Sequence, residues 1–295
     1  MATKTLKFDC YQVHMPQNTV VTFEAVLNTV NAFQGTARVH HTQDYPIRLQ
    51  FLEQRPDYYI GDIAKIRMTD IPLKMRTSGE TEEIDLDADQ GLGEVASFLF
   101  CPRISVLVIQ RNRNAVTATG VAHYFQHKGI IERELIFTPI LQAEAYQRIA
   151  NLNQYQKLEL EVAAPGNAQI FRDAGMAPEA VINLMGAAPR VTISCTLSTG
   201  HDRQGSLLRD RVIELVGSVL RRPINPGESV KLIVSGKNNP DDAKETIDLF
   251  EEMMVTSEPV NIGNARNLSD DLRRAALIRA WGQKRDELFR IFQTA

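Results

Sequence analysis

His123 and His127 stand four residues apart in a stretch that reads as a helix, so both imidazoles can point the same way. That is the geometry of a helical metal pair. No Glu follows His123 where a metalloprotease carries its base, and no third ligand is evident from the sequence. A polar helix face is the expectation, and no metal is expected. Asp85-Leu-Asp87-Ala-Asp89-Gln-Gly91 has the spacing that opens a calcium loop. Such a loop needs Gly at its sixth position and a carboxylate at its twelfth. Those places hold Gln90 and Ala96, so a solvated acidic loop is expected instead. Gly91-Leu-Gly93-Glu94 lacks the third glycine of a dinucleotide fingerprint. No phosphate-binding loop, nucleophile elbow, catalytic Cys–His set or deaminase signature is present. A metal nuclease would need converging acids beside a Lys. Asp62, Glu83 and Glu94 are separated, and none begins an acid–residue–Lys strand. The chain therefore reads as a binder rather than an enzyme, with no catalytic residues and no cofactor.

Charge is distributed unevenly. From Thr77 to Glu94 there are seven acids and no base; from Val95 to Ile131 there is no acid, while Arg103, Arg111, Arg113 and Lys128 appear. An acid-free surface is what a polyanion selects. Between Arg190 and Lys237 lie eight bases (Arg190, Arg203, Arg209, Arg211, Arg221, Arg222, Lys231, Lys237) and four acids. Arginine forks suit phosphate because each can donate two hydrogen bonds. Asp210 and Glu214 allow the alternative of a solvated helix laced by its own ion pairs. The candidate DNA-binding residues are Arg111, Arg113, Arg203, Arg209, Arg211, Arg221, Arg222, Lys231 and Lys237. Asn112 and Asn114 are candidates for bonds to backbone or phosphate oxygens.

A net charge of −3 over 295 residues argues against a constitutive, highly basic coat protein, and permits one basic face on an acidic remainder. Apolar content of 43% is ordinary for a folded protein. No apolar run reaches the roughly 18 residues of a membrane span, and the first residues lack a signal peptide's apolar segment. A cytoplasmic location is expected. Cys10, Cys101 and Cys195 are too few and too scattered for a disulfide framework or a zinc site, and read as buried thiols.

The elements that must position these groups read as α+β: mixed sheets with packed helices. Strands are expected at Leu6–His14, Arg38–His41, Ile47–Leu52 and Tyr58–Met68, around a helix from Val20 to Phe33. A core strand is expected at Ile104–Gln110, a helix over Thr117–His127, and a strand over Leu135–Leu141. A helix over 142–151 and an alternating strand from Lys157 follow. Short helices are expected at Ala168–Ala174 and Pro178–Met185, then a strand to Leu197, a helix from Ser206 to Arg222 and a strand from Ser229. Thr246–Val255 fits either state. Ser269 is a good N-cap for a long C-terminal helix striped with Leu277, Trp281, Leu288 and Phe292. The charge change suggests a division into an N-terminal subdomain (1–76), an acidic loop (77–94) and a second domain (95–295).

From Gly91-Leu-Gly-Glu-Val-Ala-Ser-Phe-Leu-Phe100 onward, the order of pieces resembles the RexA family of phage-lambda exclusion proteins, over roughly residues 85–295. The matching pieces are the Ile104 strand, the helix ending at Lys128-Gly129, the strands at Leu135–Leu141 and Lys157–Pro165, the short helices to Ala187, the basic segment 201–211, its long helix, the strand near Lys231 and the C-terminal helix. The Arg76–Glu94 stretch and Ile109-Gln-Arg-Asn-Arg113 are also similar to an uncharacterised bacterial defence-associated family. The resemblance implies a homodimer that binds double-stranded DNA without strong sequence preference, and acts in abortive infection with a membrane-protein partner. The basic cluster near His201 is poorer here than that resemblance implies, with Gln204 following Arg203. The alternatives are a metal-dependent nuclease or other effector enzyme of a defence system, using acids such as Glu83 or Glu94 near Arg111, and a protein-interaction adaptor without DNA affinity.

Overall fold

Apolar residues run almost without alternation through Phe98-Leu-Phe-Cys101 and Val106-Leu-Val-Ile109, and a strand of that kind needs cover on both faces. A computed structural model, describing residues 2–16, 20–131, 135–163, 192–200, 205–220, 229–239 and 241–293, gives them that cover. The chain is α+β. It divides into two units: Met1–Ile136 with Thr256–Gln293, and Phe137–Val255. The helices expected over 168–185 lie outside the described residues.

The first unit is built on one sheet. Its strands are β1 (Ala2–His14), β2 (Val39–His41), β3 (Pro46–Gln54), β4 (Tyr59–Arg67), β7 (Leu92–Cys101), β8 (Val106–Arg111) and β14 (Val255–Gly263). They run across the sheet in the order β14-β1-β8-β7-β4-β3-β2. α1 (Phe23–Ala32) and α2 (Ala118–Lys128) cover one face. Phe23 of α1 meets Phe100 edge-on at 4.9 Å, and Phe125 of α2 meets Phe98 at 5.8 Å. Gly61 permits this, because a Cβ there would lie 2.5 Å from the Phe98 ring. Ser97 and Leu99 point to the other face by strand alternation, where the last helix, α5 (Asp270–Gln293), docks. Ser269 caps α5 by accepting from the Leu272 amide at 3.3 Å. Its residues Ala276, Leu277, Ala280, Trp281 and Leu288 are buried, so the predicted stripe seats the helix on its own sheet.

The expected division at 77–94 is not where the chain divides. β4 precedes the acidic stretch and β7 follows it, yet they pair antiparallel from Tyr59↔Phe100 to Arg67↔Leu92. The stretch between them holds only a small ladder, β5 (Lys74–Met75) with β6 (Thr81–Glu82), and exposed turns. The charge change marks a solvated connection between two neighbouring strands. It does not mark a boundary, because pairing between distant strands, not local composition, sets the unit.

The second unit is a four-stranded sheet, β11-β10-β12-β13. These are β10 (Gln154–Ala163), β11 (Thr192–Ser198), β12 (Ser229–Lys237) and β13 (Glu245–Asp248), reached through β9 (Ile136–Pro139) and α3 (Ala143–Asn151). Leu158, Leu160, Leu232 and Val234 are buried with Ala145 and Ile149 of α3 and with Val212, Leu215 and Val219 of α4 (Arg209–Leu220). The alternation read at Lys157 is this sheet's wet and dry faces. Among the described residues no helix is long and apolar enough to cross a membrane.

Burial of one carboxylate under α5 makes a test. Asp62 is 2% exposed, accepts from the Ser97 hydroxyl, and meets Arg274 of α5 at 2.6 Å. The guanidinium lies 4.2 Å above the Phe51 ring and also reaches Asp271 at 2.7 Å. Burial pushes the Asp62 carboxyl above the usual carboxylate range, against the opposing pull of Ser97 and Arg274. Such a pair adds little net stability, but removing one partner strands a buried charge. Arg274→Met is expected to lower the unfolding free energy by about 3 kcal/mol. Adding Asp62→Asn should restore part of that loss, read from urea midpoints at unchanged slope.

Candidate functional site

The closest grouping of potential metal ligands among the described residues involves the histidine pair of α2. Thr117 caps that helix by accepting from the Gly120 amide at 3.2 Å. Val121, Ala122, Tyr124 and Phe125 form its buried side. His123 and His127 are exposed, and their Nε2 atoms are 3.0 Å apart. The sequence offered no third ligand; the fold supplies His40 of β2. Its ring stacks on His127 at 4.8 Å with 14° between planes, and lies 5.5 Å from His123. One ligand atom from each of the three lies within 4.8 Å of the others.

Several bonds fix His40 over α2. Tyr124 donates its hydroxyl to the Arg38 carbonyl at 2.7 Å and accepts from the Leu49 amide of β3 at 3.0 Å. Lys128 donates to the Ala37 carbonyl at 2.8 Å. Arg38 folds back onto the end of α1, donating to Phe33 O at 2.6 Å. The short turn Gly35–Arg38, which delivers β2, is thus tied to both helices. Sequence spacing cannot show a ligand set of this kind, because two of its members share a helix and the third comes from an edge strand. The only local hint was His40-His41 in a strand.

Burial lowers the His40 pKa below the ordinary histidine value, and the nearby charges of His127, His123, Lys128 and His41 lower it further. Burial, then the charge of His127, lowers His123. Both rings therefore favour the neutral form, which carries the lone pair a metal requires. His40 Nε2 is buried without a hydrogen-bond partner.

The cationic candidates separate. Arg111 and Arg113 belong to the first unit; Arg209, Arg211, Lys231 and Lys237 belong to the second. Arg203, Arg221 and Arg222 lie outside the described residues. Arg111 is not a free cation. Antiparallel register sets Asp9 opposite Ile109, so Arg111 lies diagonal to Asp9 on the same sheet face. Its fork binds that carboxylate twice, Nε–Oδ2 at 2.8 Å and Nη2–Oδ1 at 2.5 Å. Asn112 is also engaged, donating to Val95 O at 3.2 Å and accepting from the Asn114 amide at 3.2 Å. It builds the turn that projects Arg113, which is exposed and has no ion-pair partner among the described residues. Lys7 pairs with Arg111 across the ladder, so β1 begins, with exposed Lys4 and Lys7, beside the end of β8.

The second unit's bases are more balanced. Arg211 pairs with Glu214 at 3.0 Å, and Arg209 donates to the Ala150 carbonyl at 2.9 Å. Lys231 stands opposite Glu161, and its charge acts on Glu159. Lys237 is half-buried at the end of β12. Asp62, one of the acids weighed for a nuclease, is enclosed under α5. The carboxylate at Arg111 is Asp9, not Glu83 or Glu94.

A sequence-family model described as a family of unknown function (DUF6731) matches residues 1–287. The chain belongs to that family. No curated protein and no solved structure matches it. The match spans both the histidine cluster and the cationic end of the first sheet, so DUF6731 membership covers every described candidate residue.

Two outcomes follow from this geometry. Arg111→Gln leaves the nearly buried Asp9 carboxylate without its fork, and should destabilise the first unit by about 1–2 kcal/mol, limited by the solvent exposure of Arg111. A urea melt reads this. His40 and His123 should titrate below 6.5 by NMR. The unfolded chain then binds more protons than the fold just below that value. Their contribution to stability is full above it and is lost as pH falls through the folded values.

Proposed function

We propose that this chain binds duplex DNA without reading its sequence, as a cytoplasmic protein of phage exclusion or prophage-linked defence. The observation that carries the reading is the cationic end of the first sheet. Lys4, Lys7 and Arg113 are exposed where β1 begins and β8 ends, and the neighbouring carboxylate, Asp9, is engaged by Arg111. Three cations on a sheet end can neutralise phosphates, but offer no helix or ribbon for reading base edges.

Among the described residues, the order β7, β8, α2, β9, β10, α4, β12, α5 also supports the reading, because these are pieces on which the RexA resemblance rests. The same resemblance supplies the homodimer and the membrane-protein partner. Lys231 on the second unit is a secondary contact. Arg209 and Arg211 are weaker ones, since each already has a partner.

A gel-shift titration with random duplex at low and high salt tests this. Binding should appear at low salt and fall steeply as salt rises, through counterion release. Lys7→Gln with Arg113→Gln should reduce the salt slope by about 2, roughly one per lost phosphate contact. Absence of a shift at low salt would sink the DNA reading and favour an adaptor. A shift with unchanged slope in the double variant would move the interface elsewhere. Nicking of plasmid in the presence of divalent metal would instead favour the nuclease.

A further inference from the structure

The three imidazoles of His40, His123 and His127 assemble a site that neither the family description nor the DNA reading uses. In a tetrahedral zinc site with Zn–N bonds near 2.0–2.1 Å, ligand nitrogens lie roughly 3.3 Å apart. One pair here is at 3.0 Å, and all three ligand atoms fall within 4.8 Å. Side-chain torsions alone can close a difference of that size, because His123 and His127 are exposed and His40 is only half-buried.

The alternative is a stack of rings with no ligand. One observation weighs against it. A shared proton between the Nε2 atoms of His123 and His127 satisfies that pair alone and leaves His40 out. The Nε2 of His40 is buried with no partner, which leaves a polar atom unsatisfied unless something binds it. We propose that His40, His123 and His127 bind one divalent transition-metal ion of the zinc class, joining the edge strand β2 to α2.

Ligand chemistry selects the metal. Three nitrogen donors and no carboxylate suit zinc, copper or nickel; calcium and magnesium require oxygen. The surroundings add no attraction of their own, since Val95–Ile131 contains no acid and Lys128 is adjacent. Binding therefore depends on the dative bonds, and hard divalent cations have nothing to hold them here. Three protein ligands leave a fourth position, which the exposure of His123 and His127 turns toward solvent and which water or a small anion can fill.

The site acts as a clip. β2 is a three-residue strand at the sheet's edge, paired only to β3 among the described strands. A metal shared with α2 fixes it from the opposite side.

The test uses the full chain without a histidine tag. Zinc is titrated against a chromophoric chelator, and cobalt is used as a spectroscopic probe. One equivalent should bind, with the visible absorption of a tetrahedral cobalt–nitrogen site, and excess calcium or magnesium should not displace it. His123→Gln or His127→Gln should weaken zinc by more than about 100-fold, beyond the 10–100-fold that loss of an outer partner costs. His40→Gln should do the same, while the neighbouring His41→Gln leaves binding unchanged. Circular dichroism melts check folding, and zinc should raise the melting temperature of the wild type and of His41→Gln alone. Absence of stoichiometric binding, equal losses in His41→Gln, or full affinity in folded His40→Gln would each overturn the proposal. None of these readouts involves DNA, so the site and the DNA reading fail separately.

Discussion

A carboxylate placed in the middle of an apolar sheet must find a partner, and much of the first unit's closure is organised around Asp62 doing so. Its partner, Arg274, is 212 residues away in sequence. Between the two, the chain leaves the first unit, builds a second and returns. The Asp62–Arg274 bond is therefore a check on assembly as well as a contact. The fork is correctly seated only when β14 has paired and α5 has docked. The Glu258 carboxylate of β14, held by Arg279 at 2.8 Å and by Gln283, repeats the same device on the other edge of the helix. Neither bond needs to supply much net stability. Each makes the wrong docking of α5 costly, because it would leave a buried charge without a partner.

What α5 covers on one face, α1 and α2 cover on the other. Sheet residues on that side set the position of α2, through Phe98 and the permissive Gly61 beneath it. Tyr124 then carries that position outward to the turn before β2 and to β3. The meeting of His40 with His123 and His127 is the far end of this chain of contacts. At the other end of the sheet the same register governs charge. Asp9 neutralises Arg111 because β1 and β8 are paired as they are, and Arg113 remains available because the Asn112 turn lifts it clear.

Much of the fold was legible in periodicity. The apolar runs of β7 and β8, the alternation of β10 and the stripe and cap of α5 were all readable, because each depends on residues near one another in sequence. Grouping of these elements was not. The acid-rich stretch looked like a boundary, since composition is local, while β4–β7 pairing is not. β14 carries polar residues on alternate positions and a proline, which hid it. At the candidate sites the same limit applied. His123 and His127 were found by spacing, but His40 is brought to them by tertiary contacts. Arg111 was found by charge, but its neutralisation by Asp9 depends on a register that no motif records.

The first unit is closed by its returning segment, Thr256–Gln293. Native-state hydrogen exchange in increasing urea measures this directly, by giving the opening free energy of individual amides. Amides of α5 should merge with those of β4 and β7 into one opening reaction, with the second unit's sheet free to open at a different energy. If the α5 amides exchange through a much cheaper opening that leaves β4 and β7 protected, the helix is an accessory, and the Asp62–Arg274 bond does not hold the unit together.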